Sequence, residues 1–206
     1  PVDIWSTVDR ERVNTLVMVG DAFARPLAEE LERGDSGLRS FVSVQGSLCM
    51  YPIWAFGTEE QKQEFITGGF EGTRRVAFGL TEPDHGSDAT WMETKAVRET
   101  RDGVDGWRID GEKIFISGGD QDASAGILHL VLARTSDDGI KGLSLFLCPS
   151  EKADGTRNGV SVARIEEKMG LHASPTCQMV FDGAEAELIG KAGELWLIRE
   201  SLEHGM

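Results

Sequence analysis

After Gly72 the chain changes from helical to β-favouring sequence, and this change constrains the fold more than any other feature. Short apolar runs alternate with turn residues there: RRVAFGL, METKAVRET, GWRI, EKIFIS, ILHLVLART, GLSLFLCP, GVSVARI and CQMVFD. Because no helical pattern separates these runs, they predict eight strands in an antiparallel barrel or sandwich rather than a βαβ fold. The dipeptide Asp110-Gly111 predicts a tight hairpin turn between GWRI and EKIFIS.

Helical sequence precedes the β-rich part. Apolar residues recur at helical spacing over 13–31, and Pro26 is expected to break that run. The segment 38–56 has no charge after Arg39 and predicts a buried helix that ends near Pro52. TEEQ at 58–61 matches a capping box, in which Thr and Gln bond reciprocally at the start of a short helix.

The order of these segments predicts an α+β protein in three parts. Residues 1–72 form an N-terminal helical part, residues 73–190 a β-barrel or sandwich domain, and residues 191–206 the start of another helical domain. The chain begins at Pro1 without an initiator Met, so we expect it to be a piece of a longer protein.

Composition excludes several classes of function. A net charge of -14 would repel nucleic acid, and no apolar run approaches the roughly 20 residues that span a bilayer. Three widely spaced cysteines in apolar surroundings are typical of core residues in a reducing compartment, so we expect a cytoplasmic protein. No two histidines have metal-ligand spacing, and we expect no metal.

The segment LTEPDHGSD follows the first apolar run directly. Thr81 offers a hydroxyl and an amide, Pro83 holds Glu82 extended, and Gly86 can take a positive φ and admit a ligand to the backbone. Ser87 and the nearby amides could bind a phosphate, although the acids of the loop would repel one unless Arg or Lys pairs with them. An ordinary acidic turn also fits this composition.

The segment KIFISGGD is the second informative one. Phe115 and Ile116 point to opposite faces of a strand, so only one of them can enter the core. An aromatic ring beside the Ser117 hydroxyl would suit a flat heterocycle with polar edges, because it offers stacking and one hydrogen bond. A hairpin strand ending in a Gly-Gly turn is the plainer interpretation.

Taken together, three segments resemble the acyl-CoA dehydrogenase family of flavoproteins in order and spacing: FGLTEPDHGSD, DGEKIFISGG and KMGLHASPTCQMVFDGAEAELIG. FGTEEQKQEFI resembles the helix before the family's middle domain, and the resemblance runs from Ala28 to Gly190. Residues 41–100 look like glutaryl-CoA dehydrogenase relatives, whereas KIFISGGD and HASPTC look like larger bacterial members, so the subfamily stays open.

The resemblance implies FAD as the cofactor and assigns residues to it. Six residues from two segments are expected to contact the flavin ring, Ile116 through its backbone: Phe78, Leu80, Thr81, Phe115, Ile116 and Ser117. Thr81 should bond the pyrimidine edge, Phe115 should pack on the ring, and Ser117 should place a hydroxyl near N5. Gly86 and Ser87 should lie where the FAD pyrophosphate and the acyl-CoA substrate come close.

The resemblance also implies a reaction, the α,β-dehydrogenation of an acyl-CoA thioester in fatty acid β-oxidation, with electrons passing to an electron-transfer flavoprotein. The family's catalytic Glu lies in a C-terminal helical domain, so we assign no catalytic residue to this chain and expect it to bind FAD weakly and not to turn over alone. The full-length protein is expected to be a homodimer or homotetramer. An acyl-CoA oxidase of the same fold and a non-catalytic β-domain binding module are the alternatives.

The remaining polar candidates have plainer interpretations. His85 occupies a variable position of the family motif, His129 is expected to be a strand residue, and His172 a loop residue. Arg164 and Lys168 lie in a charged run typical of a solvated surface, although contact with the CoA phosphates is an alternative role for them.

Overall fold

The computed structural model describes residues 21–67, 73–101 and 103–194, and it opens with helices. Helix α1 spans Asp21–Gly34 and α2 spans Ser36–Ser43, and π-helical turns at Val44–Met50 carry the chain into α3 at Tyr51–Phe56. Helix α4, Glu59–Gln61, continues in π-helical turns at Lys62–Ile66. The helices predicted before residue 21 and after residue 190 lie largely outside the described residues. Within those residues, no helix is both long enough and apolar enough to cross a membrane.

Side-chain caps explain where the helices begin. The Asp35 carboxylate accepts the Gly37 amide at 2.6 Å, which starts α2. At α4 the Gln61 amide donates to Thr58 Oγ1 at 3.2 Å and the Thr58 amide donates to Gln61 Oε1 at 3.0 Å, which confirms the predicted capping box.

Two proline predictions were wrong. Pro26 lies inside α1 and does not end it. Pro52 lies in the first turn of α3, where its missing amide costs little, so the helix continues to Phe56. The segment 38–56 is buried on one face only, because Cys49 and Ile53 are in the core whereas Leu38 is exposed.

Among the described residues seven strands follow: β1 Arg74–Gly79, β2 Lys95–Arg101, β3 Val104–Ser117, β4 Gly126–Arg134, β5 Leu143–Pro149, β6 Val160–Ile165 and β7 Thr176–Ile189. The predicted eighth strand and the hairpin at Asp110-Gly111 were wrong, because GWRI and EKIFIS form one continuous β3. Gly111 instead lies in a register shift against β7, and a Cβ on it would come within 2.5 Å of Thr94 Oγ1. Gly111 therefore allows β3 to pack closely against Thr94, in the loop before β2.

The predicted class, helices followed by a β-domain, is confirmed, and its sheet is mixed. The order is β1-β4-β2-β3-β7-β5, with β6 also on β7 and β4 also on β5. Pairing is antiparallel except in two places: β4 runs parallel to β1 from Arg74↔Gly126 to Gly79↔Val131, and it meets β2 in one parallel bridge. The wholly antiparallel prediction was wrong here because β1 pairs with β4 although β2 and β3 lie between them in the chain, and short hairpins cannot make such a pairing.

Strand β4 separates two apolar clusters and is buried on both faces. Leu128, Leu130 and Leu132 pack with Ile53 and Phe65 of the helical part. Ile127, Val131 and Ala133 face the other side, where the cluster includes Phe146, Met179 and Phe181. Cys49, Cys148 and Cys177 are buried and free, as predicted. The helices therefore cover one face of the β-domain, and burial of each large apolar side chain contributes roughly 1.5–3 kcal/mol.

Candidate cofactor site

The loop after β1 and the end of β3 meet through their backbones. Strand β1 ends at Gly79, and the Thr81 carbonyl accepts the Ile114 amide at 2.8 Å. Ile114 lies three residues before Ser117, at the end of β3. The structure thus joins the two segments that the sequence singled out, LTEPDHGSD and KIFISGGD.

Phe115 has an unusual backbone. Its φ is 61°, in the left-handed region that bulky residues rarely adopt, and the register of β3 against β7 shifts between Lys113 and Ile116. This bulge sends Ile116 into the core and leaves the Phe115 side chain 60% exposed, which confirms that only one of the two is buried. Strain of this kind persists where the surrounding structure enforces it, and it is concentrated at functional sites.

Two glycines turn the chain directly after Ser117. Gly118 has a φ of 69° and its amide donates to the Pro175 carbonyl at 2.8 Å. A Cβ on Gly119 would lie 2.8 Å from Met179 Sδ and 3.0 Å from Cys177 Cβ, so the turn packs tightly on β7. The half-buried Ser117 and the exposed Phe115 ring are therefore held at a rigid strand end, as a stacking surface requires.

The loop from Glu82 to Asp88 presents an open backbone. The Glu82 and His85 backbones bond each other in both directions, at 3.2 and 3.3 Å, and Gly86 and Ser87 beyond them are exposed. Gly86 does not take a positive φ, contrary to expectation. A Cβ on it would meet nothing within 4 Å, so this part of the loop is open to an incoming group.

A buried ion pair lies behind this loop. Lys113 is fully buried and Glu82 nearly so, and Lys113 Nζ donates to Glu82 Oε1 at 2.8 Å. The same ammonium donates to the Leu80 carbonyl at 3.1 Å. The carboxylate also accepts the amides of Glu93 at 2.6 Å and Thr94 at 3.0 Å. The hydrogen bonds of the two side chains are therefore made to each other and to the loop.

The pKa of both partners is shifted, by burial in Lys113 and by its hydrogen-bonding partners in Glu82. Desolvation lowers the pKa of Lys113 to about 8, against the attraction of Glu82. Desolvation by itself would raise the pKa of Glu82, but Lys113, Thr94 and Glu93 together outweigh it and hold that pKa below its ordinary value. The acids of the loop called for a cation to offset them, and the sequence did not identify Lys113 as that cation. Local sequence has no signal for it, because its partner Glu82 lies 31 residues away along the chain.

The other predicted site residues lie farther into the protein. Phe78 is buried in the cluster that β1 shares with the helices, and Leu80, half-buried, packs against the same cluster. Ile116 belongs to the opposite cluster. These three residues are therefore expected to contact a ligand chiefly through their backbone atoms. The side chains of the other four are at least partly exposed: Thr81, Ser87, Phe115 and Ser117.

The remaining candidates are occupied or remote. His85 Nε2 lies 3.7 Å from the exposed Glu93 carboxylate. His129 lies in β4 as predicted, where burial lowers its pKa to about 4. Lys168 Nζ donates to the carbonyls of Leu171 at 2.8 Å and Ser174 at 2.5 Å, so it holds its own loop. Arg164 pairs with Glu166.

Known proteins share this architecture. Residues 24–73 match the model of the acyl-CoA dehydrogenase N-terminal domain, and residues 77–184 match the model of its middle domain. A short-chain specific acyl-CoA dehydrogenase of Megasphaera elsdenii is 38% identical over 177 residues, which are 85% of this chain and 43% of that protein. The chain thus spans less than half the length of this relative.

Solved structures agree with these matches. One described as an electron transferring flavoprotein of Acidaminococcus fermentans superposes with a TM-score of 0.74 at 38% identity, over 86% of this chain and 45% of that one. A glutaryl-CoA dehydrogenase of Mycobacterium smegmatis in complex with FADH2 gives a TM-score of 0.68 at 38% identity, over 86% of this chain and 42% of that one. Since the middle-domain model alone matches more than half of the residues, the chain belongs to the acyl-CoA dehydrogenase family.

Proposed function

We propose that this chain is the FAD-binding part of an acyl-CoA dehydrogenase that oxidises an acyl-CoA thioester to the 2-enoyl-CoA. In this proposal residues 1–72 are the N-terminal helical part, residues 73–190 are the middle β-domain, and residues 191–206 begin a C-terminal helical domain. The matched family models and the FADH2 complex of a 38% identical relative support it.

One observation carries the proposal: the bulge that presents the Phe115 ring. A regular strand would place Phe115 on the same face as the buried Lys113, whereas the register shift between Lys113 and Ile116, with a φ of 61° at Phe115, leaves its ring exposed near a hydroxyl at the strand end. An aromatic ring that is 60% exposed and held on a strained backbone does not contribute to a core. It suits a planar ring system that stacks on it.

The residues of the site fit a flavin in distinct ways. In the proposal Phe115 packs on the ring, Ser117 donates near N5, and Thr81 bonds the pyrimidine edge, with Phe78, Leu80 and Ile116 completing the wall. Donors aimed at that edge would stabilise the negative charge that builds there during reduction. Gly86 and Ser87, on the open part of the loop, would meet the pyrophosphate and the acyl-CoA.

The cofactor supplies the redox chemistry, because bound FAD accepts the two electrons and the β-hydrogen that leave the thioester. The chain's own task is placement, since a shift of about 1 Å in such a site can cost on the order of a hundredfold in rate. The tie between Thr81 and Ile114 at 2.8 Å and the rigid Gly-Gly turn serve that placement.

The proposal extends to substrate and partner. The substrate is an acyl-CoA, as in the name of the short-chain specific relative, and the electron acceptor is an electron-transfer flavoprotein, in keeping with the structure described under that name. A net charge of -14 would favour an acceptor that docks through a basic surface.

Titration of the chain with FAD tests the proposal. Bound flavin should show quenched fluorescence and a resolved visible spectrum. Phe115→Ala should raise the dissociation constant about tenfold or more, because a stacked aromatic contact is worth roughly 0.5–1.5 kcal/mol beyond its buried area.

Leu171→Ala is the matched control. Leu171 is also exposed and has a φ of 59°, so both variants remove a large side chain from a left-handed backbone. An unchanged flavin signal with wild-type chain, or equal weakening by the two variants, would refute the proposed site.

A further inference from the structure

The Glu82 carboxylate ties the two ends of the loop between β1 and β2 together from the inside, and Arg134 also binds the loop through the Thr90 and Met92 carbonyls. Glu82 stands near the start of the loop, and its two oxygens accept the amides of Glu93 and Thr94 near the end, at 2.6 and 3.0 Å. The start and the end of the loop are therefore tied together before the chain enters β2.

Lys113 connects this carboxylate to β3. Its ammonium reaches both Glu82, at 2.8 Å, and the Leu80 carbonyl, at 3.1 Å. The next residue, Ile114, donates its amide to the Thr81 carbonyl at 2.8 Å. Two adjacent residues of β3 thus grip three consecutive residues of the loop, immediately before the bulge at Phe115.

Stability alone gives a weak reason for such a pair. Taking two charges out of water is unfavourable, and apolar residues of similar volume at a buried ion pair are often neutral or stabilising. A directional set of bonds does something that apolar packing cannot: it fixes the spacing and register of the two segments it joins.

We propose that Lys113 and Glu82 are positioning residues for the flavin site, which set Thr81 on the loop against Phe115 and Ser117 on β3. This inference rests on the proposed function and adds to it two residues that are not expected to touch the cofactor. Both are buried beneath the loop, so their effect on a bound flavin would pass through the backbone.

The double variant Glu82→Gln with Lys113→Met tests the pair. Gln keeps one acceptor oxygen, for the amide of either Glu93 or Thr94, and Met fills most of the lysine volume without leaving a buried charge, so the fold should survive. The bridge to Leu80 is lost. A single Lys113→Met variant leaves a buried carboxylate without its cation and is less informative, because it is the one most prone to fail to fold.

Glu185→Gln with Lys152→Met is the matched control. Lys152 Nζ lies 2.7 Å from Glu185 Oε1, and the substitutions remove the same two charges away from the loop. Glu185 also lies 3.5 Å from the buried Arg108, which keeps Glu99 as a second carboxylate in the control. Both double variants should keep a cooperative thermal transition.

Amide hydrogen exchange, measured without flavin, is the first readout. In the Glu82/Lys113 variant, exchange should accelerate at least tenfold in peptides covering 80–94 and 114–117 and stay unchanged elsewhere in the β-domain. The control should show neither change. Unaltered exchange in these peptides, or a uniform increase over all strands, would overturn the positioning role.

The FAD dissociation constant is the second readout, and it should rise at least tenfold in the Glu82/Lys113 variant only. If wild-type chain binds FAD and this variant binds it equally well, the pair does not position the flavin site. If wild-type chain binds no FAD, the proposed function fails, while the exchange data still decide whether the pair orders the loop.

Discussion

Strand β4 and the end of β3 each bury a basic side chain, and they do so in opposite ways. His129 in β4 packs its ring against Phe181, with centroids 5.9 Å apart, and burial lowers its pKa to about 4, so it is neutral at physiological pH. Lys113 in β3 has a carboxylate 2.8 Å away and spends its remaining donors on the loop. His129 is thus a neutral part of an apolar core, whereas Lys113 joins β3 to the loop through polar contacts.

The backbone of β4 is regular, whereas the backbone at the end of β3 is not. Strand β4 pairs without interruption with β1 and β5, and its side chains fill two apolar clusters. The end of β3 has a register shift, a strained φ at Phe115 and an exposed ring. The end of β3, where the site is proposed, thus departs from regular structure, whereas β4 keeps its pairing along its whole length.

Lys113→Met should produce the largest loss of stability. It leaves the nearly buried Glu82 carboxylate without its cation, and breaking a buried pair in this way costs about 3–5 kcal/mol. Urea denaturation followed by tryptophan fluorescence would measure the change in the free energy of unfolding.

Lys152→Met gives the reference for that measurement, because its ion pair with Glu185 is about one-third exposed. It should lose no more than about 1 kcal/mol, as partly solvated pairs do. If the two variants lose similar amounts, Lys113 is not the buried junction described above.

His129 should make the protein sensitive to acid. Its pKa is about 4 in the folded chain and about 6.5 when exposed, so the unfolded chain binds more protons between these values. Stability is therefore unaffected by this group above pH 6.5 and falls as the pH drops from 6.5 to 4, by about 3 kcal/mol in total. Denaturation midpoints over this range would measure the slope.

His129→Leu should remove that slope while losing some packing against Phe181 at every pH. His172→Leu, which changes an exposed loop residue, should leave the slope in place. An acid profile of His129→Leu that parallels the wild type would show that another group is responsible.

Sequence patterns predicted the regular regions well. The apolar runs located the strands, the Thr58–Gln61 spacing located a helix start, and the period of two separated Phe115 from Ile116. These features depend on neighbours in the chain, so local sequence contains most of the information about them.

Features that depend on distant contacts were missed. Asp110-Gly111 has the composition of a hairpin, but the space that it leaves is taken by Thr94, a residue of the loop. The parallel pairing of β1 with β4 and the partnership of Lys113 with Glu82 likewise join residues far apart in the sequence. A lone lysine in a strand has no local signature for burial, because its partner decides where it lies.

Phe115→Gly should change the free energy of unfolding least, and it should stabilise the protein rather than destabilise it. Relief of the left-handed backbone is worth roughly 1–2 kcal/mol, and the added freedom of glycine in the unfolded chain costs roughly 0.5–1 kcal/mol. Because the side chain is mostly exposed, little burial is lost, and the variant should gain about 0.5–1 kcal/mol by these two estimates. Thermal unfolding with and without FAD would measure both stability and binding.

Val97→Gly in β2 supplies the contrast, since Val97 is also exposed but sits in a strand that pairs regularly with β3. With no strain to relieve, it should lose roughly 0.5–1 kcal/mol. A gain at residue 115 together with weaker FAD binding would mean that the chain keeps an unfavourable backbone there for the sake of the ring. A loss at both positions would mean that the bulge is held without strain, and the end of β3 would then differ from β4 in its register, its exposed ring and its charges but not in backbone energy.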